Sequence, residues 1–197
     1  MIIGLTGSIA SGKSTVAAMM RGYGLPIVDA DQVARDVVKP GSPTLAKIVT
    51  AFGDKALLAD GSMDRGYVGQ LIFHEPAKRN TLNDIIHPAI REEMLRQRDE
   101  YVTNGHQHVV MDIPLLFESK LQHYVEKILV VSVKEDIQLA RLMARNDLTE
   151  EDALARIRSQ LPMSVKEAGA NAVIYNNGSE AQAASQLATI LKAWQVI

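Results

Sequence analysis

The residues best suited to chemistry lie near the start of the chain, where a short apolar run leads into a glycine-rich loop. The loop reads GSIASGKS from Gly7 to Ser14, and a helix-forming stretch follows it. A polyphosphate needs several backbone N–H donors aimed at one point, and glycine lets the backbone curl that tightly. Lys13 is placed to reach the β- and γ-phosphates, and the Ser14 hydroxyl to bind Mg²⁺. The pattern predicts a P-loop that binds a nucleoside triphosphate such as ATP.

The context of this loop separates it from an accidental glycine-rich turn. A short strand at 2–5 precedes it and a helix from about 15 to 20 follows it, as a phosphate-binding loop requires. The spacing also differs from the G-x-G-x-x-G pattern of dinucleotide-binding proteins. The predicted ATP-binding residues of this segment are Gly7, Ser8, Ile9, Ala10, Ser11, Gly12, Lys13, Ser14 and Thr15.

Two carboxylates follow the next short apolar run, at 27–29. In open α/β sheets ligands bind outside the carboxyl ends of the strands, which makes Asp29 and Asp31 candidates for chemistry. Asp31 is a candidate base for an attacking hydroxyl, but aspartate is equally a favoured helix N-cap and a helical pattern follows it. Asp29 is a candidate for orienting Mg²⁺ or for capping the same turn. Both alternatives are open at this stage.

Four arginines cluster in the second half of the chain, at 141, 145, 156 and 158. Arg141 and Arg145 are spaced to share one helix face. Guanidinium groups on a closing lid would neutralise the charge that spreads over a transferring phosphoryl group and would exclude water. The alternative is a solvated helix face on which the arginines pair with Glu150, Glu151 and Asp152.

Two further residues have an ambiguous role. Asp112 ends a buried strand, where it would either hold Mg²⁺ through a water molecule or serve as a buried cap or salt-bridge partner. His87 precedes Pro88 and is more typical of a turn or core histidine than of a catalyst. No carboxylate lies at ligand spacing from it, so no metal is assigned there.

The arrangement of elements favours an α/β fold. Apolar runs at 2–5, 27–29, 108–118, 127–133 and 172–175 predict five strands, and helical patterns separate them. Residues 32–101 contain no convincing strand and form a predicted helical insertion, in which His87-Pro88 opens a helix at 89–98. The predicted fold is a five-stranded, doubly wound parallel sheet with helices on both faces.

Composition limits the possible functions. The chain has 197 residues, 47% of them hydrophobic, with a formal net charge of −2, which argues against a protein that coats nucleic acid. It contains no cysteine, no signal-peptide pattern and no apolar run long enough to cross a bilayer. We therefore expect a cytoplasmic protein without nucleic-acid or membrane partners, and the sequence leaves its oligomeric state open.

Taken together, these segments resemble the dephospho-coenzyme A kinases, which add the 3′-phosphate in the last step of coenzyme A biosynthesis. The resemblance covers nearly the whole chain. It rests on GLTGSIASGKS at 4–14, VDADQVAR at 28–35, VKPGSP at 38–43, ADGSMDR at 59–65, LNDIIHPAI at 82–90, DIPLLFE at 112–118, RIRSQ at 156–160 and VIYNNGS at 173–179.

The resemblance implies a single P-loop kinase domain over 1–197 with three regions. These are a nucleotide-binding core at 1–31, 105–140 and 170–197, a helical coenzyme A-binding subdomain at 32–104 and a lid at 141–169. It implies Asp31 as the catalytic base, Lys13 and Arg141 as its partners in catalysis, and Mg²⁺ on Ser14 and, through water, on Asp112. The other implied contacts are Arg145 and Asn177 for ATP, and Asp31, Arg65, His87, Pro88 and Leu115 for dephospho-coenzyme A.

The chain departs from the family pattern at a few positions. The family loop usually reads GGIGSGK, so Ser8 and Ala10 replace glycines, and Tyr175 stands where aspartate is common. Alanine at position 10 restricts the backbone, which bears on loop flexibility or nucleotide affinity more than on the reaction. Another nucleoside or nucleotide kinase on the same core is the alternative function. A GTP-dependent switch is disfavoured because both its guanine and its switch motifs are missing.

Overall fold

A computed structural model describes every residue from Met1 to Ile197, and it contains one five-stranded parallel sheet. The strands follow the spatial order β2-β3-β1-β4-β5. The predicted α/β fold class is confirmed. The strands are β1 (Ile2–Gly7), β2 (Ile27–Asp29), β3 (Val109–Asp112), β4 (Lys127–Ser132) and β5 (Ala172–Tyr175).

Nine α-helices connect and flank the strands. Parallel neighbours require crossover connections, and helices fill them here. The helices are α1 (Lys13–Gly22), α2 (Ala30–Asp36), α3 (Pro43–Phe52), α4 (Arg65–His74), α5 (Pro76–Thr103), α6 (Glu135–Asn146), α7 (Glu150–Arg158), α8 (Met163–Ala168) and α9 (Glu180–Ala193). Short 3₁₀ helices occur at Asp54–Ala56 and Gln122–Tyr124. None of the helices is long and apolar enough to span a membrane.

On one face of the sheet, β-branched and leucine side chains of the strands pack against two helices, α1 and α9. Ile3 and Leu5 of β1 are fully buried, and they pack in one cluster with Val131, Val16 of α1 and Leu187 of α9. Adjacent strand residues point to opposite faces. Ser132, next to Val131, accordingly bonds to α8 through Glu167, at 2.5 Å between Oγ and Oε1. Helices therefore cover both faces, as predicted.

The chain divides into two compact units. The first comprises Met1–Val28 and Tyr101–Ile197 and contains most of the sheet, whereas the second, Asp29–Glu100, is helical. The second unit has a hydrophobic cluster of its own, which includes Ile48, Ala56 and Val68. The ligand-binding roles assigned to 32–104 and 141–169 remain predictions.

Helix α5 differs from its prediction. The sequence pattern predicts one helix at 77–86 and another at 89–98, but α5 continues through His87 and Pro88, with Pro88 in its interior. An interior proline removes one backbone hydrogen bond and costs about 3 kcal/mol. Packing supplies the compensation, because Leu82 and Met94 are buried on either side of it. The prediction used only two local preferences, that of proline for the first turn of a helix and that of the preceding residue for non-helical angles.

Candidate phosphoryl-transfer site

The glycine-rich loop lies between β1 and α1, and its backbone requires glycine at two positions. Gly12 adopts a left-handed conformation with φ of 88° and is the N-cap of α1. A Cβ at position 12 would overlap the Asn176 side-chain amide, and one at Gly7 would come within 2.7 Å of the Val131 carbonyl oxygen. The loop therefore leads directly into the N-terminal end of α1, where an anion is favoured.

Ala10 is the unusual residue of the loop. It adopts a left-handed conformation with φ of 59°, in the region that glycine occupies most readily. A Cβ in that region costs roughly 1–2 kcal/mol. From the sequence, we expect alanine to restrict the backbone at this position. The structure shows that Ala10 adopts its loop conformation under strain.

Lys13 forms an ion pair with Asp112. Its Nζ donates to Oδ1 of Asp112 at 2.5 Å, and the two side chains are only 17% and 5% exposed. The sheet register explains the contact, because Asp112 pairs with Leu5 across β1 and β3, at the edge where β1 enters the loop. Of the two roles left open for Asp112, the salt bridge is present. The partner follows from strand adjacency, which the sequence alone does not reveal.

Ser14 and Asp112 together fit Mg²⁺. Ser14 has an exposed hydroxyl in the first turn of α1, and Asp112 supplies a carboxylate in the same unit. No group of three His, Cys, Asp or Glu residues is placed to hold a metal by itself. This donor set suits Mg²⁺, which typically takes one or two protein oxygens together with substrate phosphates.

Three side-chain amides bind the backbone of the loop from outside. Asn176 donates from Nδ2 to the Ser11 carbonyl at 2.9 Å, and Gln138 donates from Nε2 to the Ile9 carbonyl at 2.8 Å. Gln160 accepts from the Ile9 N–H at 2.9 Å. Sequence reasoning missed these roles. Only the positions of Gln160 in RIRSQ and of Asn176 in VIYNNGS gave a hint.

Arg141, Arg145 and Asn177, the predicted ATP-side residues outside the loop, all lie in the first unit but bind different partners. Arg141 of α6 donates from Nη1 to the Asn176 carbonyl at 3.0 Å. It therefore lies beside the residue whose side chain binds the Ser11 carbonyl of the loop. Arg145 is exposed and bonds to its neighbour Asn146. Asn177 accepts from the Lys134 N–H at 2.8 Å and so holds the residue that precedes α6.

Helix α7 carries the two remaining arginines of the predicted lid. Arg156 and Arg158 are both exposed in its last turn. The helix begins at the N-cap Thr149, whose hydroxyl accepts from the Asp152 N–H. The acidic first turn complements the helix dipole, as the capping pattern in the sequence suggests.

In the second unit, Asp29 is the residue that caps α2. Its Oδ1 accepts from the N–H groups of Asp31 at 3.0 Å and Gln32 at 3.1 Å. Asp31 lies in the first turn of the helix. The capping alternative for Asp31 was therefore wrong, because the strand ends two residues earlier and Asp29 takes the extended N-cap conformation.

The predicted acceptor residues are distributed over both units. Arg65 lines a cavity of about 520 Å³ in the second unit, together with Arg35, Lys39 and Asp64. Pro88 lines a separate cavity of about 550 Å³ that includes none of these residues.

Of the other predicted acceptor residues, Asp31, His87 and Leu115, none lines either of these cavities. His87 is exposed on α5. Leu115 follows β3 in the first unit and is 43% exposed. Each unit, described by itself, brings together only part of the predicted acceptor set.

Comparison with known proteins places this site in a family. The family model described as CoaE, dephospho-CoA kinase, matches residues 1–182. A dephospho-CoA kinase of Bacillus cereus is 52% identical over 197 residues, which is 100% of this chain and 98% of that protein. A dephospho-CoA kinase of Geobacillus kaustophilus is 51% identical with the same coverage.

Solved structures agree with the sequence comparisons. TT1252 of Thermus thermophilus superposes with a TM-score of 0.84 at 30% identity, covering 98% of this chain and 97% of that one. Dephospho-CoA kinase of Campylobacter jejuni gives 0.76 at 28% identity, covering 98% and 96%. A shikimate kinase of Bacteroides thetaiotaomicron, at 16% identity and 0.51, shares the fold, with coverage of 99% and 98%. With its P-loop and its full-length relatives, this chain belongs to the dephospho-CoA kinase family.

Proposed function

We propose that the protein transfers the γ-phosphoryl group of ATP to the ribose 3′-hydroxyl of dephospho-coenzyme A, giving coenzyme A and ADP. This is the last step of coenzyme A biosynthesis, and cytoplasm is the proposed compartment. The observation that carries the proposal is the full-length family match on a chain that keeps Lys13 in an intact P-loop.

In this proposal the P-loop holds the triphosphate. The backbone N–H groups of the loop and the N-terminal end of α1 bind the phosphates, with Ser14 and Thr15 in the first turn. Lys13 neutralises charge on the β- and γ-phosphates. Its present partner Asp112 supports this role, because the ion pair keeps the ammonium group at the end of the sheet.

Mg²⁺ is the proposed cofactor. It would bind to Ser14 directly and to Asp112 through water, and when bound it neutralises developing charge on the phosphate oxygens. The chain's own contribution is one direct oxygen ligand, from Ser14, and one carboxylate that binds through water, without a complete protein cage, which leaves coordination positions for phosphate.

Asp31 is the proposed general base. Because Asp29 caps α2 by accepting from the N–H groups of Asp31 and Gln32, the Asp31 carboxylate is not the N-cap. It can then accept the proton of the attacking hydroxyl, a contribution typically worth about 10²–10⁴-fold in rate.

The remaining residues divide between the two substrates in this proposal. Arg141 and Arg145 act on the nucleotide side with Asn177. Arg65, His87, Pro88 and Leu115 act on the acceptor side. The cavity that Arg65 lines supports the acceptor role, because Arg35 and Lys39 also line it and three basic residues suit an anionic ligand. Lys39 is paired with Asp36 at 2.7 Å, so Arg35 and Arg65 are the main candidates to bind that ligand.

The deciding experiment measures ADP release with dephospho-coenzyme A and, separately, with nucleoside monophosphates. With ATP present, we expect Mg²⁺-dependent turnover when dephospho-coenzyme A is the acceptor and none when a nucleoside monophosphate is the acceptor. Turnover on a monophosphate without turnover on dephospho-coenzyme A would instead support a nucleotide kinase on the same core.

A further inference from the structure

Both backbone polar groups of one P-loop residue are bound by glutamine side chains from outside the loop. The Ile9 N–H donates to Oε1 of Gln160 at 2.9 Å, and the Ile9 carbonyl accepts from Nε2 of Gln138 at 2.8 Å. Gln138 lies on α6, whereas Gln160 follows α7. We call this pair of contacts the Ile9 clamp. It fixes the peptide planes on both sides of Ile9.

The clamp is built on anchored elements. Gln138 is only 4% exposed, so its amide is held by its surroundings. The residue after Gln160 is fixed as well, because the Leu161 N–H donates to Oε1 of Glu118 at 3.1 Å. Glu118 in turn pairs with the fully buried Lys166 at 2.8 Å. The main chain at Gln160 is thus fixed by the bond of its neighbour Leu161, while the Gln160 side chain binds the loop.

The position of the clamp within the loop gives it a consequence for ligand binding. Ile9 directly precedes Ala10, which is held in a strained left-handed conformation. A loop that must direct several N–H groups at one phosphate binds more tightly if it is already ordered, because binding then costs less conformational entropy. Two carboxamides on one residue provide that order before a ligand arrives.

The clamp also connects the P-loop to the arginine-bearing helix α7. Arg158 and Gln160 are two residues apart and line the same cavity of about 440 Å³, with Gln138, Ile157 and Met163. A displacement of the segment that follows α7 therefore acts on the Ile9 peptide. The reverse also holds, since a change in the loop acts on that segment.

We propose that Gln138 and Gln160 are positioning residues that preorganise the P-loop for the nucleoside triphosphate and that Gln160 couples the loop to the arginine-bearing lid segment. The inference rests on the proposed function for the identity of the nucleotide, ATP. It assigns no direct contact with the reacting atoms to either glutamine.

The test uses the variants Gln160→Met and Gln138→Met, which keep side-chain length and remove the hydrogen bonds. Each should raise the dissociation constant for ATP, measured by calorimetry on the free protein, roughly 5- to 10-fold. The dissociation constant for dephospho-coenzyme A should stay unchanged. The double variant should be less than additive, because both contacts order one residue. Gln107→Met, at an exposed glutamine before β3, is the matched control.

Amide hydrogen exchange of Ile9 provides a second readout without any substrate. Protection should be lost in Gln160→Met and retained in Gln160→Glu, whose carboxylate can still accept from the Ile9 N–H. Gln160 is partly exposed, so both Gln160 variants should fold. They still test the proposal if Gln138→Met, at a buried position, does not fold. Unchanged ATP affinity in Gln160→Met, or equal losses for ATP and dephospho-coenzyme A, would overturn the proposal. A wild-type protein that binds ATP but does not phosphorylate dephospho-coenzyme A would overturn only the proposed function.

Discussion

At the scale of single residues, the Lys13 ion pair has the largest consequence. Lys13 is mostly buried against Asp112, so removing either partner leaves the other charge with reduced compensation. Losing one member of a buried ion pair typically costs about 3–5 kcal/mol. The lysine proposed to stabilise transferred charge also stabilises the fold, and a mutation at this position changes both properties.

Lys13→Met should therefore lower turnover by at least about 10²-fold, because charge stabilisation in the transition state is lost. It should also lower the free energy of unfolding by about 3 kcal/mol, measured by urea denaturation. The double variant Lys13→Met/Asp112→Asn should recover much of the stability but none of the turnover. Near-normal turnover in Lys13→Met would remove the P-loop lysine from the mechanism.

Asp31 and Asp29 provide a matched pair of carboxylates. Asp31→Asn should lower the turnover number by about 10²–10⁴-fold and barely change stability, because Asp31 does not cap α2. A loose transition state would bring the loss toward the lower limit. Asp29→Ala should instead cost about 1 kcal/mol of stability, since it removes the N-cap.

Kinetics and thermal melting of both variants distinguish base from cap. Asp29→Asn keeps an oxygen acceptor for the cap and is the isosteric control. Equal activity losses in Asp31→Asn and Asp29→Asn would indicate shared Mg²⁺ binding in place of a single base. A fully active Asp31→Asn would exclude Asp31 as the base.

At the scale of elements, the segment that follows α7 is tied to the core through Glu118. Burial raises the pKa of Glu118, but hydrogen bonds from Lys166 and from the Leu161 N–H outweigh burial and hold the pKa below its ordinary value. Lys166 is completely buried on α8, and a Cβ at Gly169 would come within 2.5 Å of the Phe117 ring. The 112–118 segment and α8 thus fit each other closely.

The sign of the pKa shift gives a pH dependence. A carboxyl whose pKa is lower in the folded state contributes stability above its unfolded pKa of about 4.3 and loses it as pH falls through the folded value. Glu118→Gln should lower stability by about 3 kcal/mol at pH 7, because Lys166 stays buried without its charge partner. It should also lose less stability than the wild type between about pH 5 and pH 3. Melting temperatures across that range provide the measurement, and identical acid dependence in both proteins would contradict the assignment.

Sequence pattern was sufficient for the elements that carry periodic signals. Four of the five strands were predicted within two residues of their observed bounds, because buried parallel strands read as continuous apolar runs. The run at 108–118 was wrong in length, since β3 ends at Asp112 and the apolar residues after it lie outside the strand. Helix α8 was missed, since its six residues are too few to show a period. The salt-bridge alternative for Asp112 was stated without its partner, and the Ile9 clamp was missed. Lys13 and Asp112 are 99 residues apart, and Ile9 is 129 and 151 residues from its two glutamines, so no local pattern reveals these contacts.

At the scale of the whole molecule, the two units allow a test of how substrate binding is divided. Arg65→Ala should raise the dissociation constant for dephospho-coenzyme A roughly 10- to 100-fold, the value of a charge-assisted hydrogen bond, and leave the dissociation constant for ATP unchanged.

Arg141→Ala should instead slow the chemical step, measured by single-turnover kinetics. Arg79→Ala, an exposed arginine of the second unit that binds the Ile72 carbonyl, is the control for Arg65. The reverse pattern of losses would reverse the assignment of the two arginines.

The sheet order has a consequence for the sequence of events during synthesis. The central strand β1 pairs with β3 and β4, whose first residues, Val109 and Lys127, leave the ribosome more than 100 residues after Ile2. At about 5–20 residues per second, β1 waits on the order of 5–20 s for its neighbours. The helical unit Asp29–Glu100 is compact by contacts within itself, so it can form within that interval. Until β3 arrives, the nascent chain therefore carries an apolar strand without a partner, a state in which chaperone binding would be expected.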